Sequence, residues 1–136
     1  MNMKRKLPTS DDLIRCICVF NSHEDFSIYE AIYVGYDDNL NLILMCEHSD
    51  SDEPDYDHTN YAILSKHEAT RLAKRLKTSL SELPVEIADC MSEWDEIVCP
   101  LPSDVRRCFK EITECLIDEG CHFRIKRKYA QNGMKA

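Results

Sequence analysis

The residues best suited to chemistry lie in an acidic segment in the middle of the chain, residues 47–58. Its aspartates offer the hard oxygen ligands that Ca²⁺ and Mg²⁺ prefer, and two flanking histidines could add transition-metal ligands. These residues are His48, Asp50, Asp52, Asp55, Asp57 and His58. The EF-hand pattern fails, because Asp55 stands where that loop needs glycine and no glutamate closes it. We therefore predict no metal site and no cofactor, and keep a metal-dependent enzyme using His48 and the aspartates as a less favoured hypothesis.

Nucleophilic catalysis would require a cysteine or serine beside a base and a group that orients that base. Cys46 and His48 would share one face of a strand, because they are two residues apart. Cys121 and His122 are adjacent and would face opposite ways. Neither pair matches a known signature, so we predict no catalytic residue. The eight cysteines include no C-x-x-C pair, and we expect them to be reduced and mostly buried.

Glycine is scarce, and its positions exclude several enzyme classes. A phosphate-binding loop needs closely spaced glycines, because its backbone must approach the phosphate oxygens. The three glycines are Gly35, Gly120 and Gly133. The sequence therefore contains no P-loop, no dinucleotide fingerprint and no G-x-S-x-G elbow.

The hydrophobic pattern predicts the elements that would position these residues. Short runs rich in β-branched and aromatic residues predict strands over residues 13–20, 28–36, 40–46 and 61–64. Apolar residues at helical spacing predict a helix over residues 66–77, an acidic helix that includes residues 87–94, and a third helix over residues 104–119. Ser65 and Glu68 form a capping box at the first helix, and Gly120 is the expected C-cap of the third.

Strands followed by helices indicate an α+β fold. We predict an antiparallel sheet from an N-terminal β-meander of three or four strands, packed against about three helices, with residues 122–129 as a C-terminal strand or basic tail. The length fits a single domain over residues 1–136. Residues 1–10 and 130–136 are expected to be flexible, and residues 47–58 to form an exposed acidic loop.

The net charge of −8 is the sum over segments that carry larger net charges of opposite sign. Residues 11–64 carry 13 acidic residues and one basic residue, and residues 79–119 carry 11 acidic and three basic residues. Residues 65–78 have a net charge of +4 and residues 120–136 a net charge of +5. A basic partner is the natural complement of the longest acidic block.

The same block contains tyrosines, which are enriched at binding surfaces. If the helices cover one face of the sheet, the other face exposes tyrosines among carboxylates; if helices cover both faces, those tyrosines are buried. The predicted partner-binding residues are Tyr29, Tyr33, Asp50, Asp52, Glu53, Asp55, Tyr56 and Asp57. In charge and layout the chain resembles inhibitors and immunity proteins, and this resemblance implies a non-enzymatic protein that occludes a basic effector such as a nuclease.

The basic C-terminal segment supports an alternative hypothesis, that of a nucleic-acid-associated accessory protein. Its candidate contacts are Arg124, Lys126, Arg127 and Lys128, which are interleaved with aromatic and aliphatic residues. The overall negative charge opposes approach to DNA or RNA. A basic edge strand that discourages edge-to-edge pairing explains the same residues, and we prefer that interpretation.

No stretch of the sequence reaches the 18 or so apolar residues that a membrane helix requires. The first residues are basic, but Pro8 and polar residues follow before any apolar signal-peptide core. We therefore expect a cytoplasmic protein without membrane contact.

Overall fold

The computed structural model describes residues 7–129 of the 136-residue chain. Its strands and helices form an α+β fold, which confirms the predicted fold class. The strands are β1 (Ile14–Asn21), β2 (Ile28–Tyr36), β3 (Leu42–Asp50), β4 (His58–Leu64) and β5 (Arg124–Tyr129), and the helices are α1 (Lys66–Arg75), α2 (Leu83–Cys90) and α3 (Pro102–Asp118). Short 3-10 helices are Ser10–Asp12, Pro54–Tyr56 and Ser92–Glu96. The predicted flexibility of residues 1–6 and 130–136 concerns segments outside the described residues.

All five strands form one antiparallel sheet whose spatial order follows the chain, β1-β2-β3-β4-β5. The first four make the predicted meander, and the three helices separate β4 from β5. Because β5 pairs with β4 along its whole length, the C-terminal segment is an edge strand rather than a tail. β1 forms the other edge, and two register shifts interrupt its pairing with β2.

One carboxylate fixes the turn between β2 and β3. Asp37 Oδ1 accepts hydrogen bonds from the N–H groups of Asn39 and Asn41, each at 2.9 Å. Leu40 then takes a left-handed conformation with φ 64°, which cannot continue a strand. For this reason β3 begins at Leu42 instead of at the predicted residue 40.

All three helices pack on one face of the sheet, which we call the helix face. Fully buried side chains of β2, β3 and β4 meet apolar helix residues there and form the main core. The helix residues in this core are Ala69, Leu72, Ala73, Leu83, Ile87, Val105, Cys108, Ile112 and Leu116. The Tyr36 hydroxyl donates a hydrogen bond to the Leu80 carbonyl at 2.5 Å, which ties β2 to the connection between α1 and α2.

Local capping sets the helix ends. Ser65 caps α1 as predicted, since its hydroxyl accepts from the Glu68 N–H at 3.2 Å. Glu68 itself accepts from the His122 N–H at 3.2 Å, so it links α1 to the start of β5 rather than returning to the cap. The predicted acidic helix is divided, because Trp94 lies in the 3-10 helix after α2. Gly120 follows α3 with φ 78°, the left-handed conformation expected of a helix-terminating glycine.

The opposite face of the sheet, the second face, carries a smaller core. Its buried members are Leu13, Ile43, Met45, Tyr61 and Ile63. Leu7 packs on this cluster, and the Tyr61 hydroxyl donates to the Pro8 carbonyl at 2.7 Å. The N-terminal segment therefore covers part of the second face in place of the extra helices considered above, and residues 7–10, also expected to be flexible, contact the sheet.

The expectation of mostly buried thiols is wrong. Five cysteines are exposed: Cys16, Cys18, Cys90, Cys99 and Cys115. Cys46 and Cys108 are buried, and Cys121 is partly buried. A cysteine side chain is small enough to be tolerated on an edge strand or an outer helix surface, so its identity does not fix its location.

Candidate interaction site

The acidic loop is shorter than predicted and is anchored by strands on both sides. β3 extends to Asp50 and β4 begins at His58, so the connecting segment contains only residues 51–57. Within the segment expected to be a loop, Glu47 pairs with Thr59 and His48 pairs with His58 in the ladder between these strands. Backbone pairing needs no apolar side chains, and for this reason the polar composition misled the prediction.

Two of the aspartates hold the loop in shape from within. Asp57 Oδ1 accepts from the Asp50 N–H at 2.7 Å. Asp50 Oδ1 accepts from the N–H groups of Asp52 at 2.9 Å and Glu53 at 3.1 Å. Asp50 and Asp57 are only partly exposed, so they act inside the protein. These hydrogen bonds fix the backbone of the loop before any partner arrives.

The remaining predicted residues of the loop point outward. Asp52, Glu53 and Asp55 are exposed, and Tyr56 is 62% exposed. Carboxylates held on an ordered loop lose little conformational entropy when a cation binds to them. Asp52, Glu53, Asp55 and Tyr56 are thus the exposed members of the predicted partner-binding set, and we call residues 52–56 the acidic surface.

Tyr29 and Tyr33, the predicted partner-binding tyrosines of β2, lie on the second face and differ in their surroundings. Tyr33 packs against the second core, and burial raises its pKa to about 12, with nearby Cys18 and Glu47 acting in the same direction. Tyr29 lies near the start of β2, opposite Ser49 and close to the acidic loop. The structure therefore groups Tyr29 with the loop, while Tyr33 belongs mainly to the packing of the sheet.

A buried carboxylate that sequence reasoning missed lies behind this end of the sheet. Glu30 is 1% exposed and faces the helices from β2. Its Oε2 accepts from His48 Nδ1 at 2.6 Å and from Arg106 Nη1 at 2.5 Å, and its Oε1 lies 3.6 Å from Cys46 Sγ. The signal was present in the alternation of β2, because Glu30 lies between Ile28 and Ile32 on the face that is buried.

The imidazoles continue this network toward the acidic loop. The rings of His48 and His58 stack with centroids 4.6 Å apart, and Tyr129 of β5 lies 5.5 Å from His58. His58 Nδ1 donates to the Tyr56 carbonyl at 2.8 Å, so the network ends on the loop itself. A continuous set of side-chain contacts thus joins α3, four strands and the acidic loop.

The predicted pairing of Cys46 with His48 on one strand face is confirmed, but the geometry does not make a nucleophile. Both side chains turn to Glu30 rather than to each other. Burial, followed by the negative charge of Glu30, holds the pKa of the Cys46 thiol far above its usual range. Formation of the reactive thiolate is therefore disfavoured, and Cys46 and His48 form internal hydrogen bonds with Glu30 instead.

The metal hypothesis gains no ligand set from this geometry. Asp50 and Asp57 accept from backbone N–H groups, while His48 and His58 use Nδ1 on internal acceptors. Within residues 7–129, no three histidine, cysteine or acidic side chains are grouped so that they could hold a metal ion.

The four predicted nucleic-acid contacts are divided between the two faces of β5. Arg124, Lys126 and Lys128 share the second face, because they alternate along the strand. Arg127 lies on the helix face, where its Nε donates to Asn60 Oδ1 at 2.6 Å. Three of the four basic side chains therefore form a stripe along one edge of the sheet.

In the part of the chain described here, none of the helices has the length and apolar character needed to cross a bilayer. Comparison with models of known protein families, with curated proteins and with solved structures finds no match to this chain.

Proposed function

We propose that this protein is a non-enzymatic binding module that occludes a basic protein partner through the acidic surface, residues 52–56. The observation that carries the proposal is that different acidic residues of the loop have different roles. Asp50 and Asp57 fix its backbone, and Asp52, Glu53 and Asp55 are thereby presented to solvent without an ion pair among the described residues.

Charge and anchoring support the same proposal. Residues 11–64 contain a single basic residue, Arg15, and no basic side chain among the described residues forms an ion pair with Asp52, Glu53 or Asp55. Ser51 at the base of the loop bonds through its N–H to the Ser27 carbonyl at 2.9 Å, which fixes the loop against β2. Interspersed carboxylates steer a basic partner at long range, and the exposed ring of Tyr56 adds apolar contact area.

The test is affinity capture from native lysate followed by titration of the captured protein. The loop variant Asp52→Asn, Glu53→Gln, Asp55→Asn removes three charges and leaves the two shape-determining aspartates in place. At about 0.5–1 kcal/mol per exposed charge pair, we expect its affinity to fall roughly 10- to 100-fold, with the largest loss at low salt.

A matched control changes three exposed acids on the helices, Asp89→Asn, Glu114→Gln and Asp118→Asn. It alters the net charge equally and should bind the partner within about threefold of the native protein. Equal affinities for the native protein, loop variant and control would overturn the proposal, as would a captured partner that is not basic.

The stripe of Arg124, Lys126 and Lys128 on one face of β5 favours a second candidate, binding of nucleic acid along that edge. A gel-shift assay with single-stranded and double-stranded RNA and DNA at low salt tests it. Replacement of these three basic residues with glutamine should abolish the shift. Absence of any shift by the native protein would eliminate this candidate.

A further inference from the structure

A groove lies at the same end of the sheet as the acidic loop, between the end of β1 and the chain that follows the 3-10 helix Ser92–Glu96. Its volume is about 780 Å³, within the range of sites that bind small ligands or single anchoring side chains. A hydrogen bond from the His23 N–H to the Pro100 carbonyl, 2.9 Å long, joins its two sides. We call this feature the β1 groove.

The charged side chains that line the β1 groove are acidic. Glu24 and Asp95 are exposed carboxylates on opposite sides of it, and no lysine or arginine between residues 7 and 129 belongs to the lining. Neither carboxylate forms an ion pair within the described chain. Burial raises the pKa of Tyr29 in the lining, and Cys18 and the negative charge of Glu24 raise it further. The groove therefore has a negative potential that its own residues do not neutralise.

Part of the wall between these carboxylates is apolar or aromatic, and the rest is polar. Phe20, Tyr29 and Ile97 line the groove, and Phe20 packs against the ring of Trp94 at a centroid distance of 5.7 Å. An arginine side chain combines an apolar stem with a planar cation that bonds carboxylates and stacks on aromatic rings. The groove offers complementary surfaces to each of these parts.

The groove and the acidic surface belong to one end of the sheet. Tyr29 lines the groove and pairs with Ser49 of β3, and the next residues of that strand lead directly into the loop. A partner held by the loop would therefore have part of its surface over the groove. Addition of a partner strand to β1 is less suitable, because the two register shifts break the regular edge that such pairing needs.

We propose that the β1 groove is the anchor site for an arginine side chain of the basic partner, with Glu24 and Asp95 as its carboxylate ligands. This inference rests on the proposed function and adds the chemistry of the partner's central contact. The loop attracts the partner by its charge, and the groove supplies the buried contact that fixes its position.

The experiment uses the capped tripeptide acetyl-Gly-Arg-Gly-amide, with its citrulline analogue as an uncharged control of nearly equal shape. Trp94, the only tryptophan, touches the groove residue Phe20 and reports binding by fluorescence. Amide chemical shifts locate the peptide on the protein. We expect saturable binding of the arginine peptide in the millimolar range, shifts confined to residues 18–24, Tyr29 and residues 95–100, and at least tenfold weaker binding of the citrulline peptide.

The variant Glu24→Gln, Asp95→Asn should weaken binding of the arginine peptide at least fivefold, and the loop variant should leave it within twofold. Both changed side chains are exposed, and circular dichroism would be used to check that each variant folds. No saturation up to 20 mM, equal binding of both peptides, or shifts located elsewhere would overturn the groove assignment. Failure of the proposed function is separate, because it appears as partner binding that ignores the loop variant.

Discussion

Replacement of Glu30 by glutamine tests whether the buried carboxylate organises the end of the sheet that carries the candidate site. The native carboxylate accepts from His48 at 2.6 Å and from Arg106 at 2.5 Å through one oxygen. Glutamine has nearly the same shape but no charge, so the substitution removes charge assistance from both hydrogen bonds without leaving a cavity. It therefore isolates the electrostatic contribution of this residue.

The magnitude follows from exposure. A hydrogen bond to a charged group contributes about 1.5–3 kcal/mol net. The side chain of Glu30 is 2% exposed and that of His48 14%, which favours the upper part of this range, whereas Arg106 is 55% exposed and its share is smaller. Because the glutamine oxygen still accepts one bond, we expect Glu30→Gln to lower the free energy of unfolding by about 2 kcal/mol.

The assay is urea denaturation followed by the fluorescence of Trp94, with an unchanged dependence of the free energy on urea concentration as the check on two-state behaviour. Glu114→Gln makes the same chemical change at an exposed site on α3 and should stay within about 0.5 kcal/mol of the native protein. A double-mutant cycle with Arg106→Gln should give a coupling of about 1 kcal/mol.

A Glu30→Gln protein as stable as the control would refute this reasoning. It would mean that the desolvation of Glu30 cancels its hydrogen bonds, as happens in some buried ion pairs. If Glu30→Gln lowers the free energy of unfolding as expected but the double-mutant cycle shows no coupling to Arg106, the effect belongs to His48 and Cys46 alone.

Three further outcomes follow from the packing. Gly35→Ala should cost about 2 kcal/mol in urea denaturation, because the new Cβ would lie 2.9 Å from the carbonyl oxygen of Ile14, and an unchanged midpoint would contradict this. Burial raises the pKa values of Tyr36 and Tyr61 to about 12, so both stay protonated in the folded protein while the unfolded chain loses those protons near pH 10. The contribution of these two protonated tyrosines to the free energy of unfolding should therefore be fully present below pH 10 and be lost between pH 10 and 12. Ultraviolet titration showing all tyrosines ionised near pH 10 in the folded protein would refute this prediction. An aromatic disulfide reagent should modify the five exposed thiols in the folded protein and the two buried thiols only after unfolding, and rapid modification of Cys46 in the folded protein would contradict its burial.

Much of the fold could be predicted because its signals are local. The alternation of β2, the serine cap of α1 and the glycine after α3 each depend on a few neighbouring residues. The ends of β3 and β4 could not be predicted in this way. At the end of the sheet the ladder continues through polar residues such as His48 and His58, whose side chains stack with each other instead of entering an apolar core.

The candidate site was only partly predictable. The exposed carboxylates of the loop follow from composition, but the structural roles of Asp50 and Asp57 depend on turn geometry. The Glu30 network depends on Arg106, which is 76 residues away in the sequence, and no local pattern reports such a contact. The β1 groove likewise requires two segments that only the tertiary fold brings together.

The position of β5 has a consequence for how the chain reaches this fold. The first four strands connect through short turns, so they can pair early, while β5 closes a sheet edge across the three intervening helices. During synthesis β4 emerges long before residues 124–129, and its buried segment Tyr61–Leu64 then has an open edge. A nascent or truncated chain is therefore at risk of aggregation at β4, and completion of the sheet by a strongly cationic strand ends that risk.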